Sequence, residues 1–180
     1  MAKAYIALLH HPVYNKRKEI VTTCITGFDL HDIARSALTF GITKYFVVNP
    51  LPAQLKFAER IVGCWKTEKS FTHNWTRAEA FSRMELRESL EQVLAELKNP
   101  IIVATSAKKN KTTVSYKALR AQIKKSKRPY LFLFGTGWGM APEVMQKADL
   151  ILEPIVGRGS YNHLSVRSAV AIILDRLFGN

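Results

Sequence analysis

Residues 131–140 read LFLFGTGWGM, a run of large apolar side chains that gives way abruptly to Gly135, Gly137 and Gly139. Four successive apolar residues without alternation are what a strand covered on both faces requires. Glycines placed where that strand ends let the backbone approach a ligand closely. The same succession occurs twice more. "IIVA" (101–104) is followed by Thr105 and Ser106, and "LILE" (150–153) is followed by "PIVGRGSYNHLS" (154–165). One such loop is an ordinary tight turn; three at corresponding strand ends point to a pocket.

Reading outward, "AYIALLH", "IVTTCIT" and "KYFVVNP" have the same strand character, so six strands are expected in all. Candidate helices lie between them. Asp29 caps "LHDIARSALTF", with Leu30, Ile33, Ala34, Ala37 and Leu38 on one stripe and Gly41 as its stop. Thr76 and Glu79 have capping-box spacing and open a helix predicted to run to about Lys98, with Leu86, Leu90, Val93, Leu94 and Leu97 inward. Pro142 starts a short helix, and "SVRSAVAIILDRLF" carries a last one. Strands alternating with helices predict a mostly parallel sheet flanked by helices, in a single domain over residues 1–180. In such sheets ligands bind beyond the carboxyl ends of the strands, where the three loops fall.

Composition narrows the function. The formal net charge is +13, and every charged residue from Lys108 to Arg128 is positive. An excess of this size is commoner in proteins that meet nucleic acid than in enzymes of small anions, and Lys108, Lys109, Lys111 and Arg158 are the candidate contacts to RNA or DNA. Trp65, Phe71, His73 and Trp75, set among Lys66, Lys69 and Arg77, either stack on bases or cover the core. Cys24 and Cys64 are too few for a disulfide framework or a zinc site, and no metal site is expected. No stretch has the length of a membrane span, and the expected location is cytoplasmic. The glycine loop has two spacings of the dinucleotide fingerprint but Met140 in place of the third glycine, and there is no triphosphate-binding loop.

"TGFDLHDIARSALTFGI" (26–42), "LFLFGTGWGMAPEVMQKADLILEPI" (131–155) and "GSYNHLSVRSAVAIILDRL" (159–177) resemble, in order and spacing, the three motifs of the SPOUT superfamily of alpha/beta-knot RNA methyltransferases. The resemblance extends nearly end to end to one family within it and includes "HHPVYNK" (10–16). It implies a C-terminal deep trefoil knot, S-adenosylmethionine as methyl donor held by the three loops, and a homodimer with the active site at the subunit interface. Carried over, Thr105, Ser106, Gly135, Gly137, Trp138, Leu152, Ile155, Gly157 and Leu164 hold the cofactor, and the final helix packs at the interface.

Arg35 stands where ribose-methylating relatives carry an arginine, a residue suited to gripping phosphate or an emerging alkoxide. Ser165 matches the serine of the third motif and is also a helix N-cap. His163 replaces that motif's usual asparagine; His10, His11 and His31 are further titratable candidates. The sequence departs from the superfamily in two ways. Trp138 occupies the neighbourhood of a glutamate, and "GSYNHLS" lacks the aspartate of guanosine-base methylators. Methyl transfer relies largely on positioning, so a site without a triad is compatible with it. Three readings follow: an RNA methyltransferase acting on tRNA or rRNA, an RNA-binding module that keeps the pocket without the chemistry, and a dinucleotide-binding oxidoreductase.

Overall fold

A computed structural model describes residues 2–108, 112–159 and 161–180. Six strands form one sheet: β1 (Ala4–Leu9), β4 (Lys44–Val48), β5 (Met84–Arg87), β6 (Ile101–Ala104), β7 (Tyr130–Gly135) and β8 (Leu150–Ile151). Their order is β5-β4-β1-β7-β6-β8 and every pairing is parallel. β2 (Val13–Tyr14) and β3 (Ile20–Val21) make a small antiparallel hairpin outside it. Alternate residues of the central strands feed two cores. Ile6, Leu8, Phe132 and Phe134 face one side, and Ala7, Leu9, Leu131 and Leu133 the other.

The first side is covered by α1 (Gly27–Thr39), α2 (Pro52–Trp65), α3 (Glu68–Ser82), α5 (Tyr116–Lys125) and α7 (Val166–Phe178). The second is covered by α4 (Leu90–Leu97) and α6 (Pro142–Met145). Thr26, rather than Asp29, is the N-cap of α1: its hydroxyl accepts from Asp29 N–H and donates to the Asp29 carboxylate. Gly41 ends that helix as expected, at φ +71°.

The single helix expected over 76–98 is two helices and a strand. Leu86 packs into the first core and Leu90, Val93, Leu94 and Leu97 into the second, so no one helix face holds all five. "MELR" instead pairs with β4, and Ser89 caps a new helix by accepting from Gln92 N–H. "IVTTCIT" is not a strand of the six-stranded sheet either; only its Ile20–Val21 pair, with Val13–Tyr14 in the hairpin. The basic run contains α5, capped by Ser115, which buries Leu119 and Ile123 while its lysines point outward. The apolar stripe of α7, through Val170, Ile173, Leu174 and Leu177, is consumed inside the chain against the sheet.

β8 stops at Ile151, yet the chain stays held for two more residues. Leu152 N–H donates to Ala104 O, Val114 N–H to Ile151 O, and Glu153 N–H to Val114 O. The segment 151–153 therefore lies between the two ends of the 105–113 loop.

Candidate functional site

The sheet order sets the three glycine and hydroxyl loops side by side, because β7, β6 and β8 are neighbours and parallel. Ala104 pairs with Leu133 on one side and Ile151 on the other, so the three loops leave from one level. They are also tied to one another. Thr105 bonds Leu133 O through its N–H and its hydroxyl, at 3.2 and 2.8 Å. Asn162 donates to Ala107 O at 3.0 Å, and the Trp138 ring meets His163 edge to face at 5.8 Å.

The glycine loop is shaped by the hairpin lying over it. Trp138 N–H donates to Tyr14 O, Tyr14 N–H to Gly139 O, and Ala141 N–H to Pro12 O. Gly137 sits at φ +58°, and a Cβ there would come within 2.7 Å of Tyr14 O. Only glycine satisfies both demands. Gly135 is required for a different reason, since its Cβ would run into Met140. Gly139, at φ +108°, faces open space.

Beneath the hairpin lies a polar layer that the sequence did not announce. Thr136 Oγ1 donates to Leu9 O, Thr23 Oγ1 lies 2.5 Å from Thr136 Oγ1, and His10 Nδ1 lies 2.9 Å from Thr23 Oγ1. With the Thr136 proton spent on Leu9 O, Thr23 donates to Thr136 and His10 donates from Nδ1. Nε2 is then a bare acceptor. It is buried and has no partner among the described residues. Burial holds the His10 pKa down at about 4. Asn49, also fully buried, donates to Thr23 O and accepts from Leu51 N–H. These residues form a buried polar layer beside the ends of β1 and β7.

Several predicted residues take other duties. The Leu152 side chain is 1% exposed and belongs to the core, so only its backbone faces the loop. Ile155 packs against that core, while Gly157 and Arg158 are exposed. Ser106 Oγ accepts from Lys108 N–H, and Ser165 caps α7 by accepting from Ser168 N–H. Lys109 and Lys111 lie outside the described residues. His31 donates from Nδ1 to Gly27 O and packs against Phe81 and Trp65, and His11 pairs with Thr22, so both are held structurally. Trp65 covers the core and carries the Arg77 guanidinium at 4.7 Å, whereas Phe71 and Trp75 are exposed.

Arg35 is not gathered with His163 and Ser165. It lines an open cleft of about 370 Å³ with Gly27, Phe28, His31, Asp32 and Arg77. The cleft touches the start of α7 through Arg167, which reaches Asp32 at 3.0 Å and Asp29 at 3.6 Å and lies over the Phe28 ring.

The sequence model of a family described as SAM-dependent RNA methyltransferase matches residues 3–179. The chain belongs to that family. It is 44% identical to an uncharacterised protein of Aquifex aeolicus, over 97% of this chain and 87% of the relative. It is 39% identical to a tRNA (guanine-N(1)-)-methyltransferase of Nitratidesulfovibrio vulgaris, over 98% of this chain but only 42% of the relative, so it spans less than half of that protein. Its fold is shared with the A. aeolicus TrmH/SpoU tRNA modifying enzyme, at a TM-score of 0.57 and 16% identity over 98% of this chain and 73% of that one. Membership sets aside the oxidoreductase reading and makes S-adenosylmethionine the cofactor.

The residues present fit that cofactor. Val156 and Leu164 expose 68% and 46% of their surface on the third loop, apolar area of the kind an adenine ring covers. Among the described residues, no helix is long and apolar enough to cross a membrane.

Proposed function

We propose that this chain transfers a methyl group to a nucleotide of tRNA or rRNA, as a cytoplasmic homodimer of one-domain subunits whose segment 152–165 is threaded through the 105–113 loop in a deep trefoil knot. The observation that carries the reading is the convergence of three loops, cross-tied by Thr105, Asn162 and the Trp138–His163 contact, at the ends of three adjacent parallel strands. The hydrogen bonds that place residues 151–153 between Ala104 and Val114 support the knot.

When bound, S-adenosylmethionine supplies an electrophilic methyl group. The chain's part is to hold and orient. Backbone groups of the 105–106, 135–138 and 152–165 loops fix the donor, and Ile155 and Leu164 cover its adenine. Arg35 grips the target's phosphate or steadies the oxygen or nitrogen that attacks. Among the described residues, none of these loops lines the cleft that Arg35 faces, which supports a site completed by a second copy. His163 and Ser165, at the mouth of the third loop, orient the target, and Lys108, Lys109, Lys111 and Arg158 hold the RNA backbone.

The guanine-N1 activity in the name of the longer relative is not carried over: less than half of that protein is matched, and "GSYNHLS" offers no aspartate. The second reading, a module that binds RNA without chemistry, draws on Trp138, an exposed ring where an acid is usual. Labelled S-adenosylmethionine incubated with the protein and total tRNA or rRNA from a strain lacking the gene decides between them. Transfer is expected; RNA binding without transfer leaves only the module.

A further inference from the structure

The glycine loop carries its largest side chain outward. Trp138 is 51% exposed, and its ring meets His163, whose own ring meets Tyr161 at 5.7 Å. Tyr161 is 78% exposed and His163 is exposed. The three rings meet edge to face on the surface and keep much of their area exposed among the described residues. Contiguous exposed aromatic area of this kind marks an interaction surface, whereas a single exposed ring is ordinary.

Beside it stands a cluster of positive charge. The hairpin whose Tyr14 accepts from Trp138 N–H ends in Lys16, Arg17 and Lys18, all exposed and with no carboxylate partner among the described residues. The tip is nonetheless built. Asn15 Oδ1 accepts from Arg17 N–H at 2.8 Å and Glu19 N–H at 3.0 Å, and Lys18 N–H donates to Asn15 O. Lys18 holds φ +65°, a conformation glycine or asparagine adopts at lower cost. A lysine there trades local ease for a charge at the apex. The tip lies two to four residues beyond Tyr14, roughly 7–13 Å at the rise of a strand. That distance is within reach of the nucleotides flanking a base set on Trp138.

Uncovered rings beside uncompensated cations are the two ingredients of single-strand recognition, stacking for the base and charge for the backbone. We propose that Trp138, Tyr161 and His163 form a platform on which an unpaired base of the RNA substrate stacks, while Lys16, Arg17 and Lys18 hold the adjoining phosphates. The proposal rests on the RNA methyltransferase reading and gives the substrate a form, an unpaired segment rather than a duplex. It also reassigns the Trp138 side chain: the backbone serves the cofactor loop and the ring serves the RNA. The replacement of an acid by tryptophan is then a change of substrate grip, since a carboxylate there would repel phosphate.

The test is fluorescence anisotropy with a labelled single-stranded RNA oligonucleotide and the duplex of the same sequence, over a series of salt concentrations, alongside calorimetry with S-adenosylmethionine. The wild type is expected to prefer the single strand. Trp138→Ala should weaken single-strand binding roughly ten-fold, with Trp138→Phe keeping most of it and cofactor affinity near wild type in both. Replacing Lys16, Arg17 and Lys18 together by alanine should lower the slope of log affinity against log salt by about 2. Unchanged single-strand affinity in Trp138→Ala, or a loss confined to the cofactor, overturns the platform. An unchanged salt slope overturns the hairpin's part. If binding responds as expected while the wild type transfers no methyl group, the platform stands and the methyltransferase reading fails, so the two failures are told apart.

Discussion

Lowering the pH from 7 to 5 charges the layer beneath the hairpin through one residue, His10. Its ring is fully buried, donates from Nδ1 to Thr23, and leaves Nε2 without a partner among the described residues. A second proton would have to sit on Nε2, buried away from water and without an acceptor among the described residues. Burial therefore holds the pKa at about 4, against an ordinary 6.5. The folded state binds this proton more weakly than the unfolded state. The full stability contribution is thus present above pH 6.5 and is lost as the pH falls towards 4. The gap corresponds to about 3 kcal/mol in all, of which about 2 kcal/mol is lost between pH 7 and pH 5. That window leaves most carboxylates ionised. Urea unfolding followed by tryptophan fluorescence at the two pH values measures the loss. His10→Asn supplies the control, because its amide nitrogen can take the place of Nδ1 and does not titrate. The variant is expected to start less stable at pH 7 and to lack the 2 kcal/mol fall. If wild type and variant lose stability in parallel, the proton is going elsewhere and the buried layer has been misread.

Four further outcomes are expected. Arg35→Ala should lower methyl transfer by about 100-fold or more while calorimetry shows cofactor affinity near wild type, as for a group that steadies charge during the reaction; a large loss of cofactor affinity would instead assign Arg35 to the cofactor or the fold. Gly137→Ala should cost roughly 1–3 kcal/mol in chemical unfolding and weaken cofactor binding, since the new methyl meets Tyr14 O at a backbone angle alanine avoids; wild-type stability would show that the hairpin yields. Arg167→Ala should cost about 1 kcal/mol, less at high salt, through the lost contacts with Asp29, Asp32 and Phe28. Lys98→Gly, at φ +50° after α4, should stabilise by about 0.5–1 kcal/mol, read as a rise in the unfolding midpoint.

The strands of the central sheet were legible because burial on both faces leaves an unbroken apolar run, a signal independent of what lies far away in the chain. Helices were legible where periodicity and a cap agreed, as in α7, and in α1 periodicity and the Gly41 stop sufficed although Thr26, not Asp29, is the N-cap. The stretch from Thr76 to Lys98 shows where this fails. Leu86 fits a helical stripe with Leu90, Val93, Leu94 and Leu97, but a strand between two helices places it on the opposite side of the sheet from the rest. Periodicity records spacing and not which core a residue meets. α5 was hidden for a different reason: a lysine-rich run draws attention to charge, and its Leu119 and Ile123 are too few to form a stripe. At the site, the three loops could be found because each follows a strand. The Thr23–Thr136 hydroxyl contact could not, since it joins residues 113 positions apart.

The glycine loop now has two separate physical obligations. Gly135 and Gly137 are small because the protein itself presses on them, through Met140 and Tyr14. The hairpin, in pressing, pins the loop by main-chain bonds at Trp138 and Gly139. A loop held from behind in this way presents its other side, at the β7, β6 and β8 ends, in a fixed shape before any ligand arrives, which reduces the ordering cost that binding must meet. The same bonds fix where the Trp138 ring emerges. The proposed cofactor edge and RNA platform would then share one rigid unit, so a change at Gly137 should disturb both, whereas a change at the hairpin tip should reach only the RNA.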